Sequence, residues 1–107
     1  MARRKTSART DRRARARAHA ELVRDLERLA RLEEGGSPER PLAVASAAQV
    51  EVIARARPCP LCKATTHLDE HAAEVVGGVR LRVVRVACTA CGVGRALYFR
   101  IADTPLN

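Results

Sequence analysis

Between Leu22 and Leu32 the apolar residues Leu22, Val23, Leu26, Leu29, Ala30 and Leu32 recur at spacings of three, four and seven, which draws one apolar stripe along a helix. The surrounding residues from Asp11 to Glu34 are Ala, Arg, Glu and Leu for the most part, with no Pro or Gly. Glu27 and Arg31 form a favourable i,i+4 pair, and Gly35-Gly36 supplies a stop. The pattern predicts a helix over 11–34. Upstream of Leu22 the stripe would continue through Arg15 and His19, so an apolar seam lasts under two heptads, short of what a sustained coiled coil needs. The stripe is therefore expected to pack on the rest of its own domain, with pairing to a second copy as the weaker alternative. Residues 1–10 have no apolar period and read as a disordered basic arm.

Residues 35–57 read as a linker. Ser37 to Pro41 is turn-rich, and the Ala-rich stretch after it carries two competing signals. Ser46 with Gln49 fits a capping box and predicts a short helix from Ala47 to Ala54, whereas alternation at Val50, Val52 and Ala54 predicts a strand. Beyond Thr65 the period changes to two. Val75, Val76, Val79, Leu81, Val83, Val84 and Val86 flank Gly77-Gly78, a two-residue hairpin signal. A third strand over Ala96 to Ile101 would point Leu97, Phe99 and Ile101 one way and Tyr98 and Arg100 the other. The predicted class is α+β: an N-terminal basic amphipathic helix followed by three antiparallel strands, with residues 102–107 as a tail.

Cysteine spacing adds chemistry to this outline. Cys59-x-x-Cys62 and Cys88-x-x-Cys91 are two C-x-x-C pairs separated by 25 residues, the long-spaced pattern of a tetrahedral four-thiolate site for one structural Zn²⁺. A chain that turns tightly after one thiolate aims a second at the same ion, while backbone N–H groups stabilise the sulfur charge. Gly92, directly after the second pair, suits the left-handed conformation such a turn requires. Lys63 holds the equivalent place after the first, where that conformation costs about 1–2 kcal/mol, so the first turn is expected to differ slightly. Redox or disulfide use of the pairs is the weaker alternative, because a redox pair opens a helix in a βαβ unit and needs no second pair. Three strands clamped by two cysteine turns, as in "PCPLC … LRVVRVACTACGVGRALYFRI", resemble the zinc-ribbon superfamily and, within it, small bacterial zinc-ribbon proteins of uncharacterised role. The resemblance covers residues 58–101. It implies a ribbon fold and a metal held by Cys59, Cys62, Cys88 and Cys91, and implies no activity, since ribbons serve polymerase subunits, ribosomal proteins, transcription factors and enzyme appendages alike.

At 107 residues, with Tyr98 and Phe99 the only aromatics, the core must be thin, and a metal or a partner is expected to support it. No apolar run is long enough to span a bilayer and no secretory signal follows the basic start, so the chain reads as cytoplasmic; an organellar presequence is disfavoured by the acidic residues of 21–34. Net charge is +8, and +7 of it lies in residues 1–18, where Arg3, Arg4, Lys5, Arg9, Arg12, Arg13, Arg15 and Arg17 face only Asp11. Such an arm releases counterions from a polyphosphate and binds it in a salt-sensitive, sequence-tolerant way. On the sheet, Arg80 and Arg82 with Tyr98 and Arg100 are expected to converge into a basic patch with one aromatic, a second nucleic-acid contact.

Two stretches match catalytic motifs in letters but not in setting. His67-Leu68-Asp69-Glu70-His71 matches the H-x-x-E-H string of inverted zinc metalloproteases, which needs both histidines one turn apart on a helix. On a strand the pair would share a face about 13 Å apart, too far for one ion, so both histidines and Glu70 are expected to be exposed strand residues. Asp69-Glu70 resembles the acidic pair of transcript-cleavage ribbons, but those carry it at the hairpin tip, which here is Gly77-Gly78. The expected function is a non-catalytic adaptor associated with nucleic acid or ribonucleoprotein, with no small-molecule substrate and no membrane. The alternative is a protein-interaction module docking a larger partner through Leu22, Leu26 and Leu29.

Overall fold

A computed structural model describes residues 7–102. Helix α1 (Ala8–Leu32) starts three residues before the expected boundary, because the Ser7 hydroxyl accepts the Thr10 N–H at 3.1 Å and caps it. Residues 8–10 are thus helical rather than part of a disordered arm; the start of that arm and the end of the expected tail lie outside the described residues. The helix is 25 residues long, about 37 Å. At its end Arg40 Nη1 donates to the Leu32 carbonyl at 3.1 Å, and the chain leaves through Gly35 and Gly36. Both glycines are required: Gly35 has a φ of 82°, and a Cβ on Gly36 would fall 2.0 Å from the Ala30 carbonyl oxygen.

α1 does not lie along the rest of the protein. Among the described residues it packs on no other helix or strand, and only its last turns approach the body: Ala30 is buried, and Glu27, Ala30 and Arg31 line a shallow hollow with Gly36, Pro60 and Arg95. The molecule is accordingly elongated, 81 × 25 × 19 Å. The expectation that the apolar stripe packs on its own domain is corrected: Leu22 and Leu29 are 55% and 58% exposed. A short stripe interrupted by Arg15 and His19 has too little apolar area to hold the whole helix down, so the one seat is formed where the chain turns back at the glycines.

The remaining elements form one unit. Strand β1 (Leu42–Val44), helix α2 (Ala47–Ala56), and strands β2 (Thr66–Val76), β3 (Val79–Cys88) and β4 (Gly94–Ile101) make a four-stranded mixed sheet in the order β1-β4-β3-β2 with α2 on one face. The three antiparallel strands expected from sequence gain a fourth, because β1 pairs in parallel with β4, Leu42 beside Phe99 and Val44 beside Ile101. Residues 35–57 are therefore no linker. The Gly35 carbonyl accepts the Tyr98 N–H at 2.8 Å and extends the β1 edge, and α2 supplies Val50 and Ala54 to the core.

The competing signals over 46–56 resolve in favour of the helix. Gln49 N–H donates to Ser46 Oγ at 3.4 Å, and Gln49 Oε1 accepts the Ala45 N–H at 2.7 Å, so the cap closes in both directions. Val50 is fully buried and Val52 67% exposed, which an alternating strand of that sequence would not allow. The core comprises Val44, Val50, Ala54, Val84, Val86, Leu97 and Phe99, with Leu42, Ile53, Leu68 and Ile101 around it. Each fully buried Val, Leu or Phe contributes about 1.5–3 kcal/mol, and there are few of them.

Candidate metal centre

The hairpin brings the cysteine turns together. β2 and β3 run antiparallel from the tip, where Gly77 and Gly78 both have positive φ, to the pair Thr66–Cys88, so the loop before β2 and the loop after β3 meet at the same end of the sheet. There the four cysteine sulfurs lie within 4.8 Å of one another and can hold one metal ion. Cys59 Sγ stands 3.7 Å from Cys91 Sγ, and Cys62 Sγ 3.3 Å from Cys88 Sγ. A tetrahedral ion with metal–sulfur bonds of about 2.3 Å sets its ligands about 3.8 Å apart, so the cage is close to the required size.

The two turns are near copies. Lys63 N–H donates to the Cys59 carbonyl and Cys59 N–H to that of Ala64, both at 2.9 Å; Gly92 N–H donates to the Cys88 carbonyl at 3.1 Å and Cys88 N–H to that of Val93 at 3.0 Å. Lys63 has a φ of 64° and Gly92 of 75°. The first turn does not differ from the second, as its lysine led one to expect; it carries the strain instead. In each turn backbone N–H groups reach sulfur: Leu61 to Cys59 at 3.4 Å, and Ala90 and Cys91 to Cys88 at 3.3 and 3.4 Å. Thr65 and Thr89 tie the turns to each other, Thr89 donating to the Thr65 carbonyl through both N–H (3.0 Å) and hydroxyl (2.9 Å).

Electrostatics follow from this crowding. The backbone N–H of Cys91, followed by that of Ala90, outweighs burial and brings the Cys88 thiol down to about 6. At Cys91 the Val93 N–H works in the same direction, but burial and the sulfurs of Cys88 and Cys59 prevail and push it up to about 11. One thiolate thus forms readily and discourages the next. A set of four becomes stable only with a cation at its centre. Two half-buried arginines stand close by: burial pulls Arg95 below its ordinary value and Arg57 adds to that, while Glu33 and Cys59 oppose it. Neither arginine stands out in the sequence, since Arg95 follows from the strand register and Arg57 from the end of α2.

The other expected site residues lie away from this centre. Arg9, Arg12, Arg13, Arg15 and Arg17 are exposed on α1, while Arg3, Arg4 and Lys5 lie outside the described residues. The patch of Arg80, Arg82, Tyr98 and Arg100 does not form as one face. Arg82 is opposite Phe99 and so lies on the α2 side of the sheet, whereas Tyr98 is opposite Val83 on the other side, with Arg100 of the same parity. Strand parity was legible, but the register joining two strands was not.

The H-x-x-E-H segment is divided by a β-bulge at Asp69, between the pairs Leu68–Val86 and Glu70–Arg85. His67, opposite Ala87, and His71, opposite Val84, therefore point to opposite faces rather than sharing one. His67 Nε2 contacts Asp69 at 2.9 Å. His71 is not exposed: its side chain is largely buried under α2, with Nδ1 3.6 Å from Glu51 Oε2. Neither arrangement brings the two histidines to one ion. No known family, curated protein or solved structure matches the chain. Among the described residues, no helix is long and apolar enough to cross a membrane.

Proposed function

We propose that this chain is a structural-zinc protein of the zinc-ribbon type that acts as a non-catalytic adaptor on nucleic acid or ribonucleoprotein. Zinc is the ion favoured by four soft thiolates in a tetrahedral cage, and four protein ligands leave no open position for a substrate. One observation carries the nucleic-acid part: α1 stands clear of the body with Arg9, Arg12, Arg13, Arg15 and Arg17 exposed. Arg9, Arg13 and Arg17 share one helix face at i,i+4 spacing, and none of the five makes an ion pair among the described residues. A row of unpaired guanidiniums on a projecting rod suits a phosphate backbone, which pairs with charge and releases counterions. The metal-held body would then anchor the rod and present it.

The test is binding of the metal-loaded full chain to duplex and single-stranded oligonucleotides across salt. Deleting residues 2–17 should abolish it, and affinity should fall steeply between about 50 and 200 mM salt. A salt-independent affinity, or one kept by the truncated chain, refutes the arm as the contact.

A second reading is favoured by the exposure of Leu22 and Leu29, with half-buried Leu26 between them. Such a face on a projecting helix suits the groove of a larger protein. A partner retained by the chain lacking 2–17 and lost on Leu26→Asp would support this reading over the first.

A further inference from the structure

Pairing between β3 and β4 ends at Arg82–Phe99. From there β3 continues beside β2, through Leu81–Glu74 and Arg80–Val75, while β4 continues beside β1, through Arg100–Ala43 and Ile101–Val44. The sheet thus forks at the end opposite the cysteine turns. The cleft between the prongs is a hollow of about 550 Å³ lined by Ala73, Arg80, Leu81, Arg82, Arg100 and Ile101. Among the described residues its polar lining consists of three arginines and includes no carboxylate.

This convergence explains what strand parity alone could not. Arg82 and Arg100 lie on opposite faces of the sheet, yet a fork lets residues of both faces reach one gap in its plane. Arg80, Arg82 and Arg100 make no ion pair among the described residues, in contrast to Arg85 on the same strand, which lies within 4.0 Å of Glu70 and 3.7 Å of Glu74. Three like charges around one hollow repel unless an anion joins them. Guanidinium forks match the oxygens of a phosphate group.

We propose that this fork is a phosphate-binding site, in which Arg80, Arg82 and Arg100 together hold one phosphate group of a nucleic-acid strand. The proposal deepens the nucleic-acid reading and rests on it for the source of the phosphate; the site itself follows from the fork. A terminal monoester and an internucleotide diester share the required chemistry. The monoester carries the greater charge.

The experiment uses the metal-loaded full chain, with the arginine Nε–Hε resonances followed by NMR during titration with inorganic pyrophosphate at constant ionic strength. Saturable shifts at Arg80, Arg82 and Arg100 are expected, weakened about tenfold or more by Arg100→Gln and by Arg80→Gln, both exposed positions that should leave the amide spectrum folded. Arg9→Gln should leave the titration unchanged. A linear, non-saturating response, or an affinity in both fork variants equal to that of the parent chain, overturns the site. Pyrophosphate binding that persists in a chain with no oligonucleotide affinity keeps the fork and removes the nucleic-acid reading. Oligothymidylates with a 5′-phosphate or a 5′-hydroxyl distinguish the sources: tighter binding of the phosphorylated strand, lost in Arg100→Gln, assigns the fork to strand ends, and equal binding weakened by Arg100→Gln assigns it to the diester backbone. Oligonucleotide affinity untouched by both fork variants overturns the role on nucleic acid.

Discussion

Helix α1 and the body it projects from are built on opposite terms. The body buries a small core against α2 and brings four sulfurs together at one end of a sheet, so its residues are held by long-range contacts. α1 has regular hydrogen bonds, a Ser7 cap and one buried residue, Ala30, near its end: Leu22, Leu29 and Leu32 face solvent, and among the described residues the arginines of its N-terminal half have no carboxylate partner. A helix kept in this state contributes almost nothing to the stability of the domain, and its composition is free to serve an external surface. Stability and surface chemistry are thus segregated along the chain, with Gly35 and Gly36 as the joint.

The largest effect that could break this contrast is loss of the metal. Chelation, or Cys59→Ser with Cys88→Ser, should unfold the sheet, because metal binding in small thiolate-held domains supplies about 10 kcal/mol or more. Elemental analysis of folded protein should give one zinc per chain, and the β signature in circular dichroism should vanish with the metal. A sheet that survives stoichiometric metal removal refutes a structural role. Since thiols must lose protons to bind, zinc should be retained at neutral pH and released as pH falls.

Next in size is the packing of α2. Val50→Ala should cost about 1–3 kcal/mol, whereas Val52→Ala should stay within about 0.5 kcal/mol. For a domain of this length the first lowers Tm by several degrees and the second does not, measured on the metal-loaded protein. Equal effects would mean that α2 is not seated as described.

Changes in α1 should behave in the reverse manner. Arg9→Gln with Arg13→Gln and Arg17→Gln should leave Tm unchanged while reducing the salt slope of duplex binding by about 0.9 for each phosphate that an arginine no longer neutralises. A fall in Tm would reveal packing of α1 that the exposed stripe argues against.

The smallest effect lies in the cysteine turns. Lys63→Gly should stabilise the protein by up to about 1 kcal/mol by relieving the positive φ of 64°, and Gly92→Lys should destabilise it by a similar amount. Chemical denaturation of the two variants against the parent would measure both. Opposite signs would establish that the turns are equivalent in geometry and differ only in which residue occupies the strained position.

What could be read directly from the residues was local. C-x-x-C places two thiolates on one tight turn, Gly77-Gly78 forces a two-residue hairpin, and that hairpin returns the second pair to the first, so the ligand set follows with little help from the rest of the chain. The capping box at Ser46 belonged to the same kind, and it outranked the alternation of Val50, Val52 and Ala54 because a cap acts on its own helix wherever that helix is packed. The Ser7 cap gives a fainter signal, because no Glu or Gln stands three residues on to complete a box.

Everything that required two distant segments to meet was decided by the tertiary structure. β1 is three residues long and carries no period of its own; it is a strand because β4 offers an edge beside Phe99 and Ile101. The bulge at Asp69 sends His67 and His71 to opposite faces, and the register of β3 on β4 separates Arg82 from Tyr98, although each strand taken singly suggested otherwise. Side-chain direction along one strand is a property of its own backbone, whereas pairing register and the point at which two strands part depend on the whole sheet. For that reason the four cysteines of the candidate metal centre were present in the chain as written, whereas the fork that gathers Arg80, Arg82 and Arg100 without Tyr98 came into being only on folding.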